Sequence, residues 1–311
     1  MDNTTCTIVM YHYVRNQEGS PYKLHARSAE EFEEQLNRLV ARYKIIGIEE
    51  YLGYLEGRYT LGEEACLLSF DDGLKDHYET VYPLLRKRGL SGVFLLITGS
   101  LAESRVASVH KIHFLLARLG MASFRERFLG ELIRRSPDFV WGGEQASLQE
   151  TGYRYDDLET ARFKRLLNFE LDETLRDGIL AEMFEDVFGN ETAFSRNLYL
   201  SWDEIQEMKD NGMSFGGHTH THTVLSRLAP KEARQEIRRC HDVLVGGLGS
   251  NRFSFAYPYG REDTFTDSVV QLLAETGFSC ALTTIRGRNV GRRCDRYRLK
   301  RLDTNDLMGP S

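Results

Sequence analysis

The chain has 311 residues, 41% of them hydrophobic and 28% charged, which is enough apolar material for one large domain or two ordinary ones and too much for a disordered polymer. Lys plus Arg number 40 against 46 Asp plus Glu, a net charge of −6 with the signs interspersed, which argues against a sequence-independent grip on nucleic acid. The N-terminus has no basic stretch leading into an apolar core, and no run approaches about 18 apolar residues, so the expectation is no leader, no membrane span and a cytoplasmic protein.

Strands and helices alternate from the start. "CTIVMYHYV" is a β-rich run, and "SAEEFEEQLNRLVARY" opens on Ser28 with Glu31 three residues on, a capping box before a helical apolar stripe. "ACLLSFDDG" reads as a buried strand ending in a polar turn, "DHYETVYPLLRKRG" as a helix closed by Gly89, and "SGVFLLITG" as another strand. From 101 to 198 the strand signal fades. "VHKIHFLLARLGMASFRERFLGELIRR" and "TARFKRLLNFELDETLRDGILAEMFEDVFG" have helical spacing, so this stretch is expected to be a helical insertion in a domain made of 1–100 and 199–311. After it come a helix in "SWDEIQEMKDNG", a strand in "MSFGGH", a helix in "APKEARQEIRRCHDVLVGG" and a strand in "RFSFAYPYG". A helix in "TDSVVQLLAETG" and a strand in "FSCALTT" follow. Repeated βα units predict a mostly parallel sheet or barrel, an α/β fold with its functional groups at the C-terminal ends of the strands. The five cysteines, Cys6, Cys66, Cys240, Cys280 and Cys294, are odd in number and unpaired in spacing, as reduced packing thiols are.

Polar clusters follow three of these strands. Asp71 and Asp72 end "CLLSF", His218, His220 and His222 follow "MSF", and "YPYG" follows "RFSFA". Two histidines four residues apart, the first at a strand exit and the second on the ensuing turn, can converge on one cation; one added carboxylate completes a two-nitrogen, one-oxygen set with room for water. Any one of these histidines alone reads as a surface turn, and Asp-Gly alone as a solvated one. Together they predict a metal site.

The same residues resemble a known family. "SFDDG" looks like the first motif of the polysaccharide deacetylases, the carbohydrate esterase group sharing the NodB homology domain; "HTHTH" looks like their second motif, H-[ST]-x-x-H, and "FAYPYG" their third. "SWDEIQEMKDNGMSFGGHT" also reads like the family, and the resemblance covers about 10 to 100 and 200 to 305. It implies a distorted (β/α)7 barrel. It also implies that Asp72, His218 and His222 hold a divalent metal, zinc first, with cobalt, manganese or nickel as alternatives. Asp71 would be the general base and the Tyr259 backbone N–H would meet the oxyanion, while His220 is left without a ligand role. Two features depart from the common pattern. Ala256 stands where an arginine usually orients the base, and the late L-x-H strand is missing. "IVMYH" instead resembles the circularly permuted branch that deacetylates poly-N-acetylglucosamine, which makes His12 the candidate general acid, since the first and last strands of a closed barrel are neighbours. Arg301 in "LKRLD" is the candidate replacement for the missing guanidinium.

Tyr257 and Tyr259 can stack on sugar faces or pack in the core. His110 and His113 lack a nearby carboxylate and are not expected to form a second metal site; Gly216 and Gly217 are expected where backbones approach closely. The expected activity is metal-dependent removal of an N-acyl group, acetyl first, from an amino sugar or glycan precursor, with the insertion as a lid or a homo-oligomer surface. The alternatives are an amide or ester hydrolase acting on a non-sugar substrate and a degenerate glycan-binding module.

Overall fold

The structure is a computed structural model and describes residues 4–18, 22–62, 64–141, 153 and 155–308. It divides into two units: Met1–Asn16, His25–Arg105 and Ser195–Ser311 form the first, and Gln17–Leu24 with Val106–Phe194 the second.

The first unit carries the strands β1 (Thr5–Tyr11), β2 (Lys44–Ile45), β3 (Ala65–Phe70), β4 (Val93–Leu96), β5 (Ser214–Gly217), β6 (Phe253–Ala256), β7 (Phe278–Arg286), β8 (Asn289–Val290) and β9 (Leu299–Asp303). β1 pairs in parallel with both β3 and β9, so β1, β3, β4, β5, β6, β7 and β9 close into a seven-stranded parallel barrel. β2 adds to the outside of β3, and β8 runs antiparallel on β1.

Period two along β3 divides the core. Cys66, Leu68 and Phe70 join a cluster with the helices packed around the barrel, among them Phe32, Leu36, Ile205, Ile237 and Leu273; Ala65 and Leu67 join Ile8, Leu95, Leu282 and Leu299 in another. All six β3 residues are buried, as expected of a parallel strand covered on both faces. The helix Ile48–Leu55, not anticipated from its Gly-punctuated sequence, delivers Tyr51, Leu52 and Tyr54 to the inner cluster.

Local signals explain the helix starts. Ser28 Oγ accepts from Glu31 N–H at 3.1 Å while Glu31 accepts from Ser28 N–H at 2.8 Å, a reciprocal cap worth about 1 kcal/mol. Ser201 and Glu204 repeat it at the helix Trp202–Asp210. In β5, glycine answers a steric need. A Cβ on Gly216 would lie 2.4 Å from the Ser254 carbonyl oxygen of β6, and one on Gly217 would lie 2.6 Å from Cys240 Sγ.

The second unit is helical among its described residues. Its long helix Ser108–Arg135 kinks at Gly120, whose φ is 73°, and the continuous helical pattern at 160–189 is broken after Glu170, before a new helix at Glu173–Phe188. Tyr22 packs edge-on against Phe114 and Phe188, which explains why 17–24 joins this unit although it lies far from it in sequence. Part of the expected insertion, 142–152 and 154, lies outside the described residues.

Candidate metal centre and active site

Because the barrel strands are parallel, their C-terminal ends meet at one mouth. The residues that follow β1, β3, β5 and β6 are His12, Asp71 with Asp72, His218 and Tyr257. Asp71 N–H donates to the Tyr11 carbonyl at 2.9 Å, tying the first of these exits to the second.

Asp72 Oδ1 lies 3.5 Å from His218 Nε2 and 3.5 Å from His222 Nε2. Two donors about 2.1 Å from a common zinc ion at a tetrahedral angle stand about 3.4 Å apart, so the spacing fits one ion. Among the described residues this is the one group of three His, Cys, Asp or Glu placed to hold a metal. His218 Nδ1 faces the Ala256 carbonyl at 2.8 Å; a carbonyl only accepts, so Nδ1 carries the hydrogen and the Nε2 lone pair faces the other donors. Burial lowers the His218 pKa, favouring the neutral ring that ligation requires.

Asp71 is turned to a different partner. Arg301, fully buried on β9, forks onto it with Nη1 and Nη2 each 2.8 Å from a carboxylate oxygen. Its Nε donates to the Thr283 carbonyl at 2.7 Å and its Nη1 also reaches Ser69 Oγ at 3.2 Å. Burial by itself would raise the Asp71 pKa. The Arg301 charge, His218, the Arg301 hydrogen bonds and His12 outweigh it and hold the carboxyl below its ordinary value. The carboxylate keeps lone pairs beyond those taken by the fork, so it can still accept a proton. The guanidinium thus enters from the neighbourhood of β9, while Ala256, where the usual arginine is absent, contributes its carbonyl to His218.

His12 Nε2 lies 3.9 Å from Asp71 Oδ2, and the His12 side chain is 42% exposed, so it stands at the open side of the base. His77, fully buried, donates from Nε2 to the His12 carbonyl at 3.0 Å. Burial pushes the His77 pKa down to about 4, which keeps this ring neutral between Phe70 and Phe94.

Backbone conformation marks the same mouth. Asp72, Thr219, His222 and Tyr259 are non-glycine residues with φ of 78°, 60°, 65° and 61°. Each such conformation costs about 1–3 kcal/mol and concentrates where function over-determines geometry. Tyr259 is half-buried with its ring 5.3 Å from that of His222.

The expected ligands and base are therefore brought together with His12, Arg301 and Tyr259. Tyr257 is not. It is 1% exposed, stacks on Phe265 at 4.0 Å and donates its hydroxyl to the Tyr297 carbonyl at 3.0 Å, so of the two placements open to it its ring takes the core and not a substrate-binding position. His220 points away, to Thr98 and Glu103. His110 and His113 meet edge-on, with ring centroids 6.0 Å apart, within the second unit. Ser69, Thr283 and His77 support the site without any sequence signal, because each acts through a partner 60 or more positions away or, for Thr283, through a backbone carbonyl.

Residues 180–281 match the polysaccharide deacetylase family. Among solved structures, the Streptococcus pyogenes deacetylase PplD in complex with acetate is similar at 18% identity and a TM-score of 0.61, covering 99% of this chain and all of that one. IcaB from Ammonifex degensii is similar at 19% identity and a TM-score of 0.59, covering 99% and 94% of the two chains. A de-N-acetylase from Aggregatibacter actinomycetemcomitans matches at 16% identity and a TM-score of 0.59, covering 96% and 94%. At these identities the likeness is one of fold. No curated protein matches the sequence.

Proposed function

We propose that this chain is a member of the polysaccharide deacetylase family and that it hydrolyses an N-acyl group, acetyl first, from an amino sugar of a glycan or glycan precursor, using one divalent metal held by Asp72, His218 and His222. The observation that carries this reading is the pairing of two buried, adjacent carboxylates with different partners: Asp72 faces two imidazoles, and Asp71 faces a guanidinium. Similarity of fold to a deacetylase holding acetate and to a de-N-acetylase supports it.

A divalent ion bound there would polarise the acyl carbonyl and acidify a water. Asp71, held ionised and oriented by Arg301, accepts the proton of the attacking water. His12, at the open side of Asp71, supplies a proton to the departing amine nitrogen. The Tyr259 backbone N–H is assigned to the oxygen where charge develops, and its left-handed turn beside His222 supports that assignment.

The test is amine and acetate release from N-acetylglucosamine oligomers, N-acetylated monosaccharides and nucleotide sugars, beside non-sugar amides and esters, each with chelator and with restored zinc, cobalt or manganese. Release from the sugars that chelation abolishes and metal restores is expected. Turnover of only non-sugar amides or esters would reassign the substrate class, and binding without turnover would leave a glycan-binding module.

A further inference from the structure

The middle histidine of the "HTHTH" loop is buried at 1% exposure and serves a second network. Its Nε2 lies 3.0 Å from Glu103 Oε1 and its Nδ1 3.0 Å from Thr98 Oγ1. A carboxylate only accepts, so Nε2 carries the hydrogen and Nδ1 receives that of the Thr98 hydroxyl. Arg239 holds Glu103 in turn at 2.8 Å.

Glu236, on the helix Pro230–Leu248, grips the backbone of the same loop. One oxygen, Oε1, accepts from the N–H of His220 at 2.8 Å, the N–H of Thr221 at 2.5 Å and the Thr221 hydroxyl at 2.9 Å. The His220 carbonyl accepts from Gly99 N–H at 2.7 Å, an approach so close that a Cβ on residue 99 would lie 2.5 Å from it. These bonds hold His220 and Thr221, the two residues between the loop's least favourable conformations, the left-handed φ at Thr219 and at His222. A branched residue such as threonine avoids that region. If the loop relaxed, His222 would leave Asp72 and His218, and the Glu236 and His220 bonds would be lost with it.

We infer that His220 and Glu236, with Glu103 behind His220, are positioning residues that hold this loop in its ligating conformation and thereby set the affinity of the centre for its divalent metal. The inference rests on the metal-centre reading above. His220 turns both ring nitrogens away from the three donor atoms and Glu236 holds the loop's backbone and the Thr221 hydroxyl, so their effect falls on metal retention rather than on the chemical step.

Zinc affinity of the metal-stripped full chain, measured by competition with a chromophoric chelator, tests this beside kcat at rising zinc. His220→Ala and Glu236→Ala are expected to bind zinc about 10–100-fold more weakly, the range for groups that orient ligands. Glu236→Gln keeps an acceptor oxygen and should lose less, and Thr221→Val, which removes one of three donors to Glu236, least. At saturating zinc kcat recovers with KM unchanged, which general misfolding would not allow. Wild-type affinity in folded variants, or a loss of kcat that no zinc concentration restores, overturns the inference. If the alanine variants do not fold, the order Glu236→Gln below Thr221→Val below wild type decides it: equal affinities overturn it. If the wild type itself binds no zinc, the metal-centre reading has failed and the inference falls with it, whereas equal tight binding by wild type and variants sinks the inference alone.

Discussion

Arg301→Met removes the fork on Asp71 and leaves a buried carboxylate without its guanidinium. Breaking a buried pair from one side costs about 3–5 kcal/mol, so a large drop in Tm is expected, together with an upward shift of the acidic limb of the pH–rate profile as Asp71 loses the charge that holds it down. Arg301→Lys is not expected to restore the wild-type profile, because an ammonium cannot reproduce two parallel bonds. An unchanged acidic limb in a folded Arg301 variant would contradict the assignment. His12→Ala is expected to lower kcat about 10²–10⁴-fold on an N-acetyl amide while sparing an aryl acetate whose phenolate departs unprotonated. Equal losses on both substrates would remove the acid role. His218, His222 and one carboxylate of the Asp71–Asp72 pair are legible in the sequence from motif spacing, whereas which aspartate is ligand and which base is legible only through the resemblance. Arg301 and His12 are legible only through the resemblance and the adjacency of first and last strands. Tyr257 illustrates the limit: "YPYG" places a tyrosine on either side of Pro258, and packing against Phe265 decides which one enters the core.

The elements that present these groups make their own demands. Gly216→Ala would drive a Cβ to within 2.4 Å of the β6 backbone, so β5 must shift and carry His218 with it. The expected outcome is loss of thermal stability together with weaker zinc binding; wild-type values for both would contradict the close approach. The short π-helix His77–Val81 adds a pH dependence. With a folded pKa of about 4 against an ordinary 6.5, His77 favours proton uptake by the unfolded chain. The stability its neutral burial contributes is full above pH 6.5, is lost as pH falls toward 4, and amounts to about 3 kcal/mol. Asp71, whose folded pKa is lowered, acts in a separate and more acidic window: its contribution is full above the ordinary aspartate value and lost as pH falls through its folded pKa. Urea unfolding at pH 7 and pH 4.5 checks the first window. His77→Asn should flatten the difference, and an unchanged difference would contradict it. Although the charged "LKRLD" of β9 carries no apolar run, the strands β1, β3, β4, β5, β6 and β7 and most helices of the first unit follow from apolar runs and capping residues such as Ser28 and Ser201. The two-residue strands β2 and β8 and the helix Ile48–Leu55 do not, because pairing and tertiary burial, rather than local pattern, define them.

At the scale of the whole molecule, barrel closure joins sequence ends to one another. β1 lies between β9 and β3, so the strand carrying His12 is a structural member of the ring as well as the source of a site residue. Removal of residues 4–16 would uncover the Val9 and Tyr11 side of the core and open two strand edges. The expected result is insoluble protein or loss of the folded circular dichroism signal, and a soluble, cooperatively unfolding truncation would contradict closure through β1. Alternating βα units in the sequence announce such a barrel, but not which strands meet; the recruitment of 17–24 to the helical second unit is equally silent, since it depends on Tyr22 meeting Phe114 and Phe188. The central claim, a deacylase centre built on Asp72, His218 and His222, is tested most directly by metal analysis of purified wild type and His222→Ala coupled to free-amine release from N-acetylated sugars. About one divalent ion per chain is expected in the wild type, with joint loss of metal and amine release in the variant. A wild type that binds no metal, or a variant that keeps both metal and turnover, would contradict it.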